Sequence, residues 1–394
     1  MYRLKGRIQQ YAWGGNHFIP DLFNIPEDRS HASAEYWLGA HPGGITEIEL
    51  DEGEWESLPS VIDRNKEKWL GSRISNQFGR LPFLLKVLDV KDMLSIQVHP
   101  TKEAAEKGFL LENEKEIPLN AANRNYKDDN HKPEVMIALS EFWLLHGFAA
   151  DIEARFEKYH FLKPFKSFYD QGGIKLLYKS LMELSQERVN DILAPLASSI
   201  VPLYKQGNLE KSSPDFWAAR AIENLCNNGV YDKGIFSIYL FNILCLKTGE
   251  GIFQGAGMPH AYLEGQNIEL MSNSDNVLRA GLTPKYIDIP ELLANTQFNI
   301  TVPKIIKVKQ KEEKQHYDCP VPDFAIDAYQ LNKGTQRSFQ SDGPAILLLI
   351  KGVATIIGEK NYDAVSAVAF YSTPGEKFEI LANTDLYFVV ATVP

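Results

Sequence analysis

Three segments far apart in the chain carry side chains able to bind a transition metal. Gln97-Val98-His99 ends an alternating run, Leu94-Ser-Ile-Gln-Val-His99, whose period of two predicts a β-strand. Side chains two apart on a strand share a face, so Gln97 and His99 can converge on one ion. His131-Lys-Pro-Glu134 offers the carboxylate of Glu134, and Pro259-His-Ala-Tyr262 a second imidazole, His260. An open site of nitrogen and oxygen ligands suits Zn²⁺ as a Lewis acid. With one carboxylate among the ligands, the site keeps positive charge for a developing oxyanion. Spacing alone does not bring these segments together, and a Gln-x-His in a strand is more often structural. On residues alone the reading is a β-sandwich metalloprotein of unspecified chemistry.

The elements that must position these groups show as changes of texture. The stretch up to about residue 148 is rich in Gly, Pro and short apolar runs. Pro82 to Val90 reads as a buried strand, and the whole as an all-β sandwich or barrel. From Asp151 to about Asn228 the apolar spacing turns helical. Ile152, Phe156 and Tyr159 form one stripe, and Ile174, Leu177, Tyr178, Leu181 and Leu184 a second, with Gly172-Gly173 between them. After about Gly234 the strand pattern returns. Gly249 to Gly257 reads as turn, short strand, turn. Ala345–Ile350 and Val353–Ile357 flank Lys351-Gly352 as a hairpin candidate, Leu386 to Val393 is the last strand, and Lys307 to Lys314 a solvated linker. A helical insertion in a β framework is therefore expected.

Composition bounds the function. Hydrophobic residues at 44% and charged residues at 23% are ordinary for a soluble globular protein, and the length suggests more than one domain. The three cysteines, Cys226, Cys245 and Cys319, show no CxxC spacing, which fits a reducing compartment rather than a disulfide framework. The opening residues have no apolar run behind them, and Ile235 to Leu246 is too short to span a bilayer. A cytoplasmic protein is expected. A net charge of −10 argues against nucleic acid or an anionic membrane as partner. Any site for an anionic small molecule must then be a local basic cluster.

The same residues carry a resemblance. Gln97-Val-His-Pro-Thr-Lys-Glu-Ala-Ala105 resembles the metal-binding signature of type I phosphomannose isomerases, as does Asn130-His-Lys-Pro-Glu134. Met258-Pro-His-Ala-Tyr-Leu-Glu-Gly265 resembles the next motif. The segment from Glu269 to Lys285, Glu-Leu-Met-Ser-Asn-Ser-Asp-Asn-Val-Leu-Arg-Ala-Gly-Leu-Thr-Pro-Lys, resembles the longest one. Tyr11-Ala-Trp-Gly14 and Ala34-Glu-Tyr-Trp-Leu-Gly-Ala-His41 are similar to family segments nearer the start. The family usually has Ala where this chain has Ser272, and many members carry Asp where this chain has Ala12, a difference that would alter sugar selectivity if that side chain touches the sugar.

The resemblance implies a mainly β fold of two cupin-type jelly rolls with an inserted helical domain. The zinc-binding jelly roll would comprise 14–148 and 236–302, the helical insertion 149–235, and the second jelly roll 1–13 and 303–394. It implies one Zn²⁺ per chain held by Gln97, His99, Glu134 and His260, and interconversion of mannose 6-phosphate and fructose 6-phosphate through a cis-enediolate. A monomer or weak dimer is expected.

That chemistry needs a base to move a proton between C2 and C1 and a positive centre for the enediolate oxygen. Glu269, Lys132 and Lys86 are the candidate bases, with a relay through Lys132 or Glu269 favoured and Lys86 otherwise assigned to the substrate. Arg279 and Lys285 sit in a loop that Gly281 and Pro284 turn. Arg279 is expected to stabilise the developing charge, while Lys285 and Ser95 hold the phosphate. Trp13 and Tyr262 are candidates to pack on a sugar face, and Asp275 to hold Arg279 or a sugar hydroxyl. Two other readings stay open on the residues: an iron-dependent oxygenase of the same fold, whose sites use two His and one carboxylate, and a sugar-binding storage protein without turnover.

Overall fold

The computed structural model describes residues 1–25, 30–309 and 312–394. Its architecture is mostly β-sheet with helices. One long strand, His260–Ser272, organises the part that carries the site. Its first half pairs with Phe142–Phe148 and, at His260, with Gln97 of the short strand Gln97–Val98. Its second half pairs with Phe83–Val90 on one side and Glu134–Ala138 on the other. The change of partners falls at Gly265, where φ is +126° and a Cβ would lie 2.6 Å from the carbonyl oxygen of Glu141. Only glycine fits so close an approach in that conformation. A single strand thus carries His260 at one end and Glu269 towards the other.

Every strand pair of this eleven-stranded sheet is antiparallel. Phe83–Val90 is buried along its whole length, as its unbroken apolar run predicts. The run from Leu94 to His99 is less regular than expected. Only Gln97 and Val98 form a ladder, because Leu94 N and Ile96 N are taken singly by Tyr262 O at 2.9 Å and Gly281 O at 3.0 Å.

Helices Ile152–Lys158 and Lys166–Met182 carry most of the two predicted stripes, and Gln186–Lys205 and Pro214–Leu225 extend the helical stretch beyond them. Gly172 and Gly173 kink the second of these rather than ending it. Leu177, Leu181, Val189, Leu193 and Trp217 are buried in a core that runs into Phe148 and Phe241 of the sheet.

An eight-stranded sheet combines strands from both ends of the chain. Tyr2–Lys5 pairs with Val368–Ser372 and also with Glu47–Asp51, so that Glu47–Asp51 and Glu54–Ser57 extend the sheet built by the later strands. The expected hairpin around Lys351-Gly352 is not formed. Ala345–Lys351 pairs with Val368–Ser372 and Leu386–Thr392, whereas Val353–Ile357 pairs with Tyr362–Val365 and Lys377–Ala382 of a separate four-stranded sheet. Gly352, at φ +103°, is a corner between two sheets whose inner faces share one apolar core, and each run buries its side chains there. Of the expected linker from Lys307 to Lys314, residues 310 and 311 lie outside the described residues, and Lys314 already begins the strand Lys314–Tyr317. Among the described residues no helix is long and apolar enough to cross a membrane.

Candidate functional site

The fold brings the distant metal candidates together. His99, Glu134 and His260 are buried, and their ligand atoms all lie within 4.8 Å of one another. Glu134 Oε1 lies 3.3 Å from His99 Nε2, and Oε2 lies 3.3 Å from His260 Nε2. Both imidazoles are tied back through their other nitrogen. His99 Nδ1 meets the carbonyl oxygen of Asn276 at 2.9 Å, and His260 Nδ1 that of Met258 at 2.9 Å. A carbonyl only accepts, so each Nδ1 carries the proton and each Nε2 presents a lone pair. Burial pushes His99 down to about 4, against the pull of Glu134, so this ring is neutral near pH 7.

Lone pairs on nitrogen thus face carboxylate oxygens with no hydrogen between them, and His99 Nε2 is buried without a hydrogen-bond partner among the described residues. That arrangement repels unless a cation sits in the middle. Ligands about 2.0–2.1 Å from a tetrahedral centre stand roughly 3.3 Å apart, which is the spacing found here. Gln97 is directly opposite His260 across the strand pair, so the two side chains leave the same face of the sheet. The donor set fits zinc.

A chain of buried polar groups runs behind the metal candidates. Gln254 Nε2 donates to Tyr262 Oη at 3.1 Å, and Tyr262 Oη donates to Glu269 Oε1 at 2.8 Å. Lys86 Nζ lies 3.1 Å from Glu269 Oε2 and 3.3 Å from Glu35 Oε2, and Trp37 Nε1 also donates to Glu35. Burial alone would lower the Lys86 ammonium, but Glu35 and Glu269 outweigh it and hold it above its ordinary value. Two carboxylates thus favour the ammonium form of Lys86, which weighs against the base role considered for it. Burial, and then Glu134, push Glu269 upward. Lys132 is buried with Nζ 3.3 Å from Glu134 Oε1, at the edge of the metal candidates.

Tyr262 departs from expectation. Its ring is buried edge-on against Phe142, with centroids 5.2 Å apart, and its hydroxyl is committed to Glu269, so it offers no free face to a sugar. Trp13 is half-buried and stacks on the more exposed Tyr11 at 5.8 Å.

Arg279 pairs with Gln97 on the side away from His260, so Arg279, Gln97 and His260 form one row across three strands. Arg279 is half-buried and makes no ion pair among the described residues. Lys285 and Lys127 are both lowered, first by burial and then by the Arg279 charge, so three cations gather on this side. Ser95, two residues before Gln97, is half-buried. Asp275 does not hold Arg279: its carboxylate lies 3.4 Å from His41 Nε2.

Glu35, His41, Lys127 and Asn276 escaped the sequence reading as individual residues. Glu35 and His41 fall inside a segment already noted, and Glu35-x-Trp37 has the same two-residue spacing as Gln97-x-His99. Asn276 contributes a main-chain carbonyl, which no side-chain pattern announces.

Residues 1–150 match the family described as phosphomannose isomerase type I, catalytic domain. The chain is 37% identical over 364 residues to the mannose-6-phosphate isomerase of Salmonella typhimurium, covering 90% of each chain. It is 38% identical over 365 residues to that of Escherichia coli, again covering 90% of each. With the Homo sapiens protein of the same name it shares 33% identity over 385 residues, 89% of this chain and 88% of that one. A solved variant of the Salmonella typhimurium phosphomannose isomerase superposes with a TM-score of 0.88 at 33% identity, over 100% of this chain and 99% of that one. A zinc-bound mannose 6-phosphate isomerase structure superposes with a TM-score of 0.86 at 32% identity and the same coverage.

Proposed function

The chain belongs to the type I phosphomannose isomerase family, and from that premise we propose how its residues interconvert mannose 6-phosphate and fructose 6-phosphate. It is an aldose–ketose isomerase that uses zinc. The observation that carries the site assignment is the nest of His99, Glu134 and His260 with both Nδ1 atoms tied off, one strand away from Arg279. Gln97, His99, Glu134 and His260 would hold the ion, which supplies fixed positive charge opposite the oxygen that becomes anionic during enolisation.

The chain's own residues do the rest. Lys132, which lies beside Glu134, takes the C2 proton and returns it at C1 in this reading, with Glu269 as the second member of a relay. Lys86 holds Glu269 in place and keeps positive charge in the pocket. Arg279 faces the same side of the sheet as Gln97 and His260 and presents its planar fork to the developing enediolate. Lys285 and Ser95 receive the phosphate, Asp275, beside His41, takes a sugar hydroxyl, and Trp13, stacked on Tyr11, packs on a sugar face.

The all-antiparallel sheets with non-consecutive neighbours support reading the β framework as two cupin-type jelly rolls. The catalytic one is assigned to 14–148 and 236–302, the helical insertion to 149–235 and the second jelly roll to 1–13 and 303–394. A cytoplasmic monomer or weak dimer acting on a sugar phosphate completes the reading. A coupled isomerase assay on mannose 6-phosphate tests it: turnover is expected, lost on chelation and restored by zinc. Turnover that survives complete removal of metal would remove zinc from the mechanism.

A further inference from the structure

The helical insertion reaches the substrate side through one carboxylate. Asp232 Oδ1 accepts from Gly234 N at 2.6 Å and from Leu282 N at 2.7 Å, and Oδ2 accepts from Thr283 N at 3.0 Å. Thr283 Oγ1 in turn accepts from Lys285 N at 3.2 Å. The backbone between is bent hard. Leu282 has φ +54°, unusual for a residue with a Cβ, and Gly281 has φ +123°. The two loops touch through glycines, since a Cβ on Gly281 would lie 2.3 Å from Gly234 Cα. A conformation of this kind persists only where its surroundings hold it.

Arg279 is anchored independently. Leu278 and Arg279 pair with Val98 and Gln97, and Ala280 N donates to Ile96 O at 2.8 Å. Asp232 therefore grips the chain after Arg279 and before Lys285. We propose that Asp232, in the helical insertion, is a positioning residue that sets Lys285 for the substrate's phosphate without acting on the proton-transfer step. The proposal rests on reading Lys285 as a phosphate ligand.

The test is a double-mutant cycle on the zinc-loaded enzyme, using Asp232→Ala, Lys285→Ala and the pair. KM for mannose 6-phosphate, kcat, the inhibition constant of inorganic phosphate, zinc content and the thermal midpoint are measured for each. Asp232→Ala is expected to raise KM and the phosphate inhibition constant in parallel, by about tenfold, with kcat and zinc content nearly unchanged. In the Lys285→Ala background the same change should add less than about twofold, because residues that act through one another are not additive. Asp232→Asn keeps the shape and one acceptor oxygen, so it should fall between and carries the test if Asp232→Ala does not fold. Additive effects in the cycle, or a loss of kcat or zinc at unchanged KM, would overturn the proposal while leaving the isomerase reading intact. If Lys285→Ala changes neither KM nor phosphate inhibition, the phosphate assignment itself falls, and the role of Asp232 with it.

Discussion

The His99 ring is oriented by Asn276: its Nδ1 donates to the Asn276 main-chain carbonyl at 2.9 Å, which leaves Nε2 bare towards Glu134. Asn276 is itself knotted into the loop of residues 127–130, which leads into Glu134. Its side chain donates to Asp128 O and Asn130 O, both at 2.8 Å, and accepts from Lys127 N at 2.7 Å. The orientation of the His99 ring is thus set by a loop two steps away from it.

Asn276→Ala should therefore loosen zinc without touching a ligand. The expected loss of zinc affinity is about 10- to 100-fold, the range for groups that orient a metal-bound imidazole. Competition against a fluorescent chelator measures it directly, and excess zinc should restore most of the activity. Unchanged affinity would mean that the loop holds its shape without this side chain.

Ser272 offers a prediction about stability. Its side chain is fully buried and its Oγ has no hydrogen-bond partner among the described residues. An unsatisfied buried hydroxyl costs about 1–3 kcal/mol, so Ser272→Ala should stabilise the fold by roughly 1 kcal/mol. The backbone bond from Ser272 N to Pro133 O, at 3.1 Å, is kept, so the Lys132–Glu134 segment stays in place and kcat should not change. Thermal unfolding of the two proteins side by side checks this, and a lower midpoint in the variant would show that the hydroxyl is satisfied.

The thiol of Cys319 should be nearly inert. Burial, and after it Asp318 and Asp327, push it up to about 12 from an ordinary value of 9.0. Sγ donates to Tyr317 O at 3.2 Å, which also favours the protonated form. A raised pKa means less thiolate at any given pH, so at pH 8 alkylation should run on the order of 10³-fold slower than for an unperturbed thiol. Its rate should go on rising with pH beyond 9, and unfolding in urea should abolish the difference. Mass-spectrometric footprinting with iodoacetamide reads all three cysteines in one experiment, and a rate that levels off near pH 9 would contradict the environment described.

The β, α, β texture and the metal candidates were legible in the sequence because each rests on local periodicity or on a continuous motif. What was not legible depends on long-range placement. Lys351-Gly352 looked like a hairpin turn because two apolar runs flank a glycine. A corner between two sheets has the same local signature, and only the rest of the core decides between them. Tyr262 looked like a sugar platform, but the pairing of its strand turns it towards Glu269. On sequence Lys86 is a candidate base or a substrate contact, and nothing there announces Glu35, some fifty residues away in the chain and beside it in space. Asp232 gave no sign at all, since an acid in a loop of the insertion carries no motif.

Arg279 gives the sharpest test of the site. It stands beside Gln97, which stands beside His260, so its side chain leaves the sheet on the face of the metal candidates. It has no ion pair among the described residues, and although burial lowers its pKa, a guanidinium stays charged. An unpaired, half-buried cation next to a metal site is suited to charge that appears only during reaction. Suppose Arg279 merely anchors phosphate. Then Arg279→Lys would raise KM and leave kcat nearly unchanged. If it stabilises the enediolate, kcat and kcat/KM fall together, because the contact strengthens only in the transition state. A lost charged hydrogen bond in a dry site is worth about 2–4 kcal/mol, or roughly 30- to 1,000-fold in rate. The second outcome is expected, since Lys285 and Ser95 are available to the phosphate. Arg279→Ala should lose more than Arg279→Lys, with zinc content unchanged in both, because no metal candidate is bonded to the guanidinium. Steady-state kinetics with zinc measured on the same samples decide the matter. A zinc-loaded Arg279→Ala enzyme with near-normal kcat and kcat/KM would take Arg279 out of the reaction.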